Sequence, residues 1–129
     1  MKQNILPGSM LIIGLAVFSM AAFGQQTVSH KINIIDFKVQ KNHNRIDINW
    51  TTDNVTIVNY FEVEKSINGK DFKTIAYVLG PNPSKTNCDC YGFLDKISSG
   101  NSGSYYRLKH VNTNGELEFS ETKIITFNK

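Results

Sequence analysis

The chain has 129 residues, which is enough for one domain, and its formal net charge is +3. Lysine and arginine are scattered, without a run of either, so the composition favours neither nucleic acid nor an anionic membrane surface as a partner. No segment keeps a helical period, and β-branched and aromatic residues dominate, so we expect strands rather than helices.

Residues 1–24 have the pattern of a secretory signal peptide. Lys2 supplies a basic start, residues 10–23 are apolar and uncharged, and Ala22 and Gly24 place small side chains at the cleavage positions. We therefore expect export to the periplasm, the cell surface or the medium, with an exposed tail over residues 25–30 and no membrane span after cleavage. The apolar run is short for a transmembrane helix, and an uncleaved N-terminal anchor is the alternative.

The first two predicted strands lie on either side of a polar turn at residues 41–44. Residues 31–40 form the first, with Phe37 and Val39 facing inward. Residues 45–51 have the cleanest alternation in the chain and place Trp50 on the apolar face, where we expect it in the core. Residues 52–59 then form a polar connection.

A hairpin is the strongest local signal in the sequence. Two strand-like runs, residues 60–67 and 72–79, are joined through Asn68-Gly69, a pair that accepts positive φ at low cost. Alternation in the first run places Phe61 and Val63 on the buried face and Glu62 and Glu64 on the solvated one. Apolar residues in the second run recur every third position, which predicts a bulge or a strong twist.

The rest of the chain alternates between loops and short strands. Gly80 and the prolines after it end the second hairpin strand, and a polar loop covers residues 81–90. Further strands are expected at residues 91–95, 105–111 and 117–127, with Gly92 at a bulge or a close approach and a second Asn-Gly turn before the last strand. About seven short strands predict an all-β, antiparallel sandwich, and an up-and-down barrel is the alternative.

Cys88 and Cys90 are the only cysteines. Export makes oxidation plausible, but residues two apart in an extended strand lie near the upper limit of disulfide geometry, and a bridge between them would close almost no loop. We rank free or locally bridged thiols first, an intermolecular disulfide second and half a zinc site last. We expect no resident metal or cofactor.

Several spaced motifs resemble fibronectin type III-like modules of Bacteroidota secreted and surface proteins. They are Trp50-Thr51, the run from Tyr60 to Phe72, the Tyr91-Gly-Phe-Leu-Asp95 segment, the Tyr105-Tyr-Arg-Leu-Lys109 segment, the Asn114-Gly115 turn and Ser120. The resemblance covers residues 31–127 and implies an immunoglobulin-like sandwich. It also implies a structural tyrosine corner near the start of the sixth strand, for which Tyr106 is the better candidate because it shares a face with Leu108. The loop at residues 81–90 departs from the pattern.

The resemblance implies a spacer or adhesion unit, which is a non-enzymatic role. Our first hypothesis is therefore a secreted module that contacts other surface or secreted proteins. The second is a carbohydrate-binding module in which outward aromatic side chains stack on sugars, with ordinary cross-strand packing as the simpler explanation. The aromatic side chains concerned are Tyr60, Tyr77, Tyr91 and Tyr105.

A small enzyme or a metal protein is the third and weakest hypothesis. Glu62 and Glu64 have a spacing that suits a carboxylate pair, but a solvated strand face balanced by a lysine such as Lys73 explains them better. The three histidines, His30, His43 and His110, are far apart in the sequence, and we expect single surface side chains rather than a metal site.

Overall fold

The computed structural model describes residues 33–80, 83, 88–97 and 99–127. The predicted signal peptide, the exposed tail and most of the 81–90 loop lie outside these residues. The elements in chain order are β1 (Lys38–Asn42), β2 (Arg45–Thr51), a 3-10 turn (Val55–Ile57), β3 (Val58–Ser66), β4 (Lys73–Leu79), β5 (Cys90–Lys96), β6 (Gly103–Asn112), β7 (Leu117–Phe119) and β8 (Lys123–Thr126). No described helix is long and apolar enough to cross a membrane.

The strands form two antiparallel sheets. One sheet has the order β1-β2-β5, and the other has the order β4-β3-β6-β7, with β8 pairing to β6 beyond the end of β7. This arrangement confirms the predicted all-β immunoglobulin-like sandwich. About seven strands were expected and the described residues contain eight, because the single strand predicted for residues 117–127 is divided in two.

The core lies between the sheets and is built from the alternating faces that the sequence predicts. Ile46, Ile48 and Trp50 of β2 are buried against Phe61 and Val63 of β3. Trp50 meets Phe61 edge to face, with ring centroids 5.3 Å apart. Alternation alone thus placed the main inward residues of both sheets correctly.

The central hairpin joins β3 to β4 and contains the predicted bulge. Val63 pairs with Ala76 and Glu64 pairs with Thr74, so Ile75 is the extra residue on β4. The bulge explains the three-residue spacing of Phe72, Ile75 and Val78. At Gly92, the sequence allowed a bulge or a close approach, and the structure has the close approach. The β2–β5 register is continuous there, and an added Cβ would lie 3.1 Å from Asn49 Oδ1.

Tyr106 closes one end of the core through a partly buried polar network. Its hydroxyl donates to Asp95 Oδ2 at 2.8 Å, and Lys65 Nζ donates to the same oxygen at 2.6 Å. Burial, the hydrogen bond to Asp95 and the charge of Asp95 raise the pKa of the Tyr106 hydroxyl far above its ordinary value. Tyr106 is buried on the same face of β6 as Leu108, as predicted, and its partner is a side chain at the end of β5.

Candidate binding surface

The solvent side of the five-stranded sheet, here called the outer face, gathers the features that suggest function. Cross-strand register places Tyr60, Glu62 and Glu64 of β3 on this side. Strands β4 and β6 contribute the side chains that pair across strands with those of β3, and β7 and β8 contribute the side chains that pair with those of β6. The additional members are Thr74, Tyr77, Leu79, Tyr105, Arg107, Lys109, Leu117, Phe119 and Ile124, and Phe72 packs on Arg107 just before β4.

An ion pair between β3 and β6 occupies the centre of the outer face. Lys109 Nζ donates to Glu62 Oε1 at 2.8 Å, and Thr74 Oγ1 donates to Glu62 Oε2 at 2.7 Å. Burial opposes ionisation of Glu62, but the two hydrogen bonds and the charge of Lys109 outweigh it and lower the pKa of the carboxyl. The hydrogen bond from Lys109 to Glu62 in turn raises the lysine pKa. Both groups are therefore charged and mutually neutralised at neutral pH.

Arg107 links side chains from several strands of the outer face. Its Nε donates to Glu64, and its guanidinium lies between two rings, 4.0 Å from the centroid of Phe72 and 4.3 Å from that of Phe119. Such stacking fixes the position of a long side chain and shields its charge. The contacts of this one residue extend from the start of β4 to the edge at β7.

Exposed apolar side chains surround this charged centre. Tyr77 and Leu79 on β4 are 67% and 68% exposed, and Leu117 and Phe119 on β7 are 53% and 49% exposed. Leu94 is the comparable side chain on the solvent side of the three-stranded sheet. Within the described part of the chain, five of the eight large exposed apolar side chains lie on the outer face, and the other three are Ile35, Ile67 and Leu94.

The four tyrosines singled out from the sequence have different locations. Tyr60 and Tyr77 do come together on the outer face, with ring centroids 5.9 Å apart at 61°. Tyr105 is half-buried at the other end of that face, where its ring packs over Gly69. The outward placement of Tyr91 is wrong, since it is 2% exposed and stacks on Trp50 with centroids 5.7 Å apart.

The expectation for Glu62 and Glu64 was right about the strand face and wrong about its environment. As alternation predicts, both carboxylates project from the face of β3 that does not carry Phe61 and Val63. Both residues, however, are buried rather than solvated. Their cationic partners are Lys109 and Arg107 of β6 rather than a lysine of β4. The hydrogen bonds and the charge of Lys109 lower the pKa of Glu62, and a carboxyl group with a lowered pKa is a poor general acid.

The histidines are dispersed, but they are not all on the surface. His43 is exposed in the β1–β2 turn at φ 54°, where its Nδ1 lies 2.8 Å from Asn42 Oδ1. His110 is 2% exposed, so the prediction of a surface side chain is wrong for it; His30 lies outside the described residues. Among the residues that the structure describes, no group of three or more His, Cys, Asp or Glu side chains is placed to hold a metal ion.

Cys88 and Cys90 are joined by a disulfide bond immediately before and at the start of β5. Asp89, between them, accepts a backbone hydrogen bond from Thr52 N at 3.3 Å. The bridge therefore lies at the edge of the three-stranded sheet, on a different sheet from the outer face.

Sequence reasoning missed the residues that complete the outer face. Arg107, Phe72 and Phe119 were not selected, although alternation places Arg107 on the same side as Tyr105 and Lys109. The Arg107 guanidinium packs on rings that are far from each other in the sequence, and no local sequence pattern predicts this contact.

Comparison with known proteins identifies a similarity of fold. No protein-family model matches the sequence, and no curated protein matches it significantly. Two crystal structures of the pectate lyase Pel3 from Pectobacterium carotovorum, with one and with two monomers in the asymmetric unit, superpose with TM-scores of 0.57 and 0.54 at 18% and 19% identity. Each match covers 72% of this chain and 26% of the lyase, so the chain spans about a quarter of the length of those proteins.

Proposed function

We propose that the protein is a non-enzymatic module that binds another exported protein through the outer face. The observation that carries this proposal is the clustering of exposed Tyr77, Leu79, Leu117 and Phe119 on one side of one sheet. Tyr77 and Leu79 lie on β4 and Leu117 and Phe119 lie on β7, so two exposed apolar patches flank the ion-paired centre. Exposed apolar patches rimmed by polar residues mark interaction sites. Export, and membership of the fibronectin type III-like modules, belong to the same proposal and rest on the N-terminal pattern and the spaced motifs.

The charged centre of the outer face supports a protein as the partner. Glu62, Glu64, Arg107 and Lys109 neutralise one another and are held by hydrogen bonds and ring stacking. The main cost of burying ionic groups at an interface comes from charges that are left unpaired. A partner that covers these four side chains would leave none of them unpaired. Because these long side chains are already ordered, binding also loses less side-chain entropy.

Photo-crosslinking tests the location of the partner. The photoreactive amino acid p-benzoylphenylalanine is placed at Tyr77 in one variant and at Leu94 in another, since both positions are exposed but lie on opposite sheets. Irradiation in the native source, followed by mass spectrometry, is expected to give a reproducible protein adduct for the Tyr77 variant only. Equal adducts at both positions, or adducts at Leu94 alone, would show that the outer face is not the binding surface.

Sugar binding is the second candidate function, favoured by the Tyr60–Tyr77 pair, in which Tyr77 is exposed and Tyr60 is half-buried. The similarity to lyases that are named for pectate adds a reason to test it. Arg107 and Lys109 are already ion-paired, so the face offers little attraction for an acidic polysaccharide, and stacking of a neutral sugar on Tyr77 suits it better.

Calorimetric titration separates the two candidates. The protein is titrated with cellohexaose as a neutral glycan and with polygalacturonate as an acidic one. Sugar binding predicts a signal that Tyr77→Ala abolishes and that Tyr91→Phe leaves unchanged, because Tyr91 is in the core. No heat with either glycan would remove this candidate and leave the protein-binding proposal in place.

A further inference from the structure

The disulfide between Cys88 and Cys90 closes a very small loop. Asp89 alone separates the two residues, so the bridge removes little conformational freedom from the unfolded chain. The bridge therefore adds little to the stability of the fold, and by the same linkage the fold protects it only weakly from reduction. A structural disulfide of a secreted protein, by contrast, resists reduction by glutathione.

The bridge is also partly accessible to solvent. Cys88 and Cys90 are half-buried, and Asp89 is exposed. Trp50 and Tyr91, which pair with each other, are buried in the core, so strand alternation places Cys90 on the solvent side of the three-stranded sheet. Exposed disulfides are the ones that take part in exchange reactions.

A groove with a volume of about 420 Å³ lies beside Cys90 on this side of the sheet. Gly92 lines it two residues further along β5, and Asn49 lies directly opposite Gly92 on β2. The exposed ion pair of Asp36 and Lys38 borders the groove. Because Gly92 has no side chain, the groove has room for a side chain of another molecule next to the bridge.

β5 is an edge strand, so its free side can pair with an added segment. Thr52 N donates to Asp89 O at 3.3 Å, which fixes the phase of the β2–β5 ladder. The alternation of antiparallel hydrogen bonding then directs the N–H and C=O groups of Cys90 and Gly92 away from β2. An extended polypeptide that pairs with this edge would carry its side chains past the bridge.

We propose that Cys88–Cys90 is a thiol–disulfide exchange site whose substrate is a pair of cysteine thiols in an extended segment of a partner protein. The groove and the β5 edge hold the segment, and the bridge oxidises its thiols. This activity goes beyond the proposed binding function, and it does not depend on the outer face.

The exchange balances between the two molecules. A partner thiol loses its proton to water, and the thiolate attacks the sulfur of Cys90, the bridge residue that lines the groove. The bond to Cys88 breaks, and Cys88 leaves as a thiolate that takes up a proton. The second partner thiolate attacks the partner sulfur of the mixed disulfide and releases Cys90. The partner loses two electrons and two protons, and the bridge gains them, so each protein molecule oxidises one dithiol.

Reduction of the unaltered protein tests whether the bridge is exchangeable. The protein is equilibrated in a glutathione buffer poised like the cytosol, its thiols are alkylated, and the reduced fraction is measured by mass spectrometry. We expect the bridge to be mostly reduced and the NMR spectrum to keep the dispersion of a folded β domain. A bridge that stays oxidised in this buffer, or a protein that unfolds on reduction, would overturn the proposal.

A comparison of thiols tests the groove and the β5 edge. The reduced peptide acetyl-Thr-Val-Thr-Cys-Gly-Gly-Cys-amide has an arm that can pair as a strand, and dithiothreitol has none. The oxidised peptide acetyl-Asn-Cys-Asp-Cys-Tyr-amide carries the same small ring without the sheet. Relative to dithiothreitol, we expect the reduced peptide to be oxidised at least about tenfold faster by the protein than by the ring peptide. Equal ratios would overturn the proposed site.

Two protein variants locate the bound segment. An added Cβ at Gly92 would lie 3.1 Å from Asn49 Oδ1 and narrow the groove. Gly92→Ala is therefore expected to slow oxidation of the reduced peptide by about tenfold and to leave the rate with dithiothreitol unchanged. Tyr77→Ala alters the outer face and is expected to change neither rate, and circular dichroism checks that both variants are folded. An unchanged peptide rate in Gly92→Ala, or a peptide rate slowed equally by Tyr77→Ala, would show that the proposed site is wrong.

Discussion

The hydroxyl of Ser120 takes the place of a backbone carbonyl opposite Leu108. Ser120 Oγ accepts the Leu108 N–H at 2.8 Å and donates to Glu121 O at 2.7 Å, while Ser120 N donates to Leu108 O. The register against β6 changes by one residue between β7 and β8. The side chain therefore satisfies the donor that this irregularity would leave without a partner, and the chain resumes its pairing at Lys123.

Ser120→Ala is expected to destabilise the protein by about 1–3 kcal/mol, because it leaves the partly buried Leu108 N–H without an acceptor. Urea unfolding measures the change. Ser99→Ala, at an exposed turn position, is the control and is expected to stay within about 0.5 kcal/mol of the unaltered protein. Equal effects of the two substitutions would show that the Ser120 hydroxyl does not support the β6 ladder.

Trp50→Ala is expected to cost about 3–5 kcal/mol, since the indole is 1% exposed and contacts the rings of Phe61 and Tyr91. The midpoint of urea unfolding measures the change, provided that the m-value is the same for the two proteins. A loss below about 1 kcal/mol would contradict the burial of Trp50.

Tyr91→Phe is expected to be neutral or stabilising. The Tyr91 hydroxyl is buried and has no hydrogen-bond partner among the described residues, so its removal abolishes a desolvation cost and keeps the ring stacked on Trp50. Thermal unfolding checks the sign. A clear loss of stability would show that the hydroxyl has a partner, such as a bound water molecule.

The Glu62–Lys109 pair is expected to contribute to acid sensitivity. The pKa of Glu62 lies below its ordinary value of 4.5, so its contribution is present above pH 4.5 and is lost as the pH falls through the folded-state pKa. Glu62→Gln is expected to flatten the fall in unfolding free energy below pH 4.5. Glu121→Gln, whose side chain is 65% exposed, should leave that slope unchanged.

His110 is expected to contribute to acid sensitivity in a higher pH range. Burial lowers the pKa of its imidazole below 6.5, so the unfolded chain takes up the proton first and stability falls as the pH drops from 6.5 toward the folded-state pKa. His110→Phe keeps a ring beside Phe61 and is expected to remove this loss. His43→Asn, at the exposed positive-φ turn, should retain it.

Much of the fold follows from patterns within short windows. Alternation identified the buried faces of β2 and β3, the Asn-Gly pairs marked two hairpins, and a three-residue spacing marked the bulge at Ile75. These features depend on neighbours in sequence. The division of the last strand was not predicted, because it depends on how Ser120 meets Leu108.

The candidate site was less predictable, because its geometry is set by strands far apart in the chain. Tyr91 was misplaced because its segment has apolar residues on both faces, with Tyr91 and Phe93 on one face and Leu94 on the other. Only the pairing of Tyr91 with Trp50 of β2 decides which of the two faces is buried. Glu62 and Glu64 were placed on the right face, but their burial depends on Lys109 and Arg107, whose position beside β3 no local pattern shows.

Gly69 has a consequence for how the sequence of this domain can vary. The residue has a φ of 75°, and an added Cβ would also lie 3.0 Å from Cε1 of the Tyr105 ring. Asparagine and aspartate tolerate such a backbone angle in other turns, but here an added Cβ would also require the Tyr105 ring to shift by a few tenths of an ångström. We therefore expect the two positions to co-vary among relatives, with Gly69 replaced only where residue 105 is smaller than tyrosine.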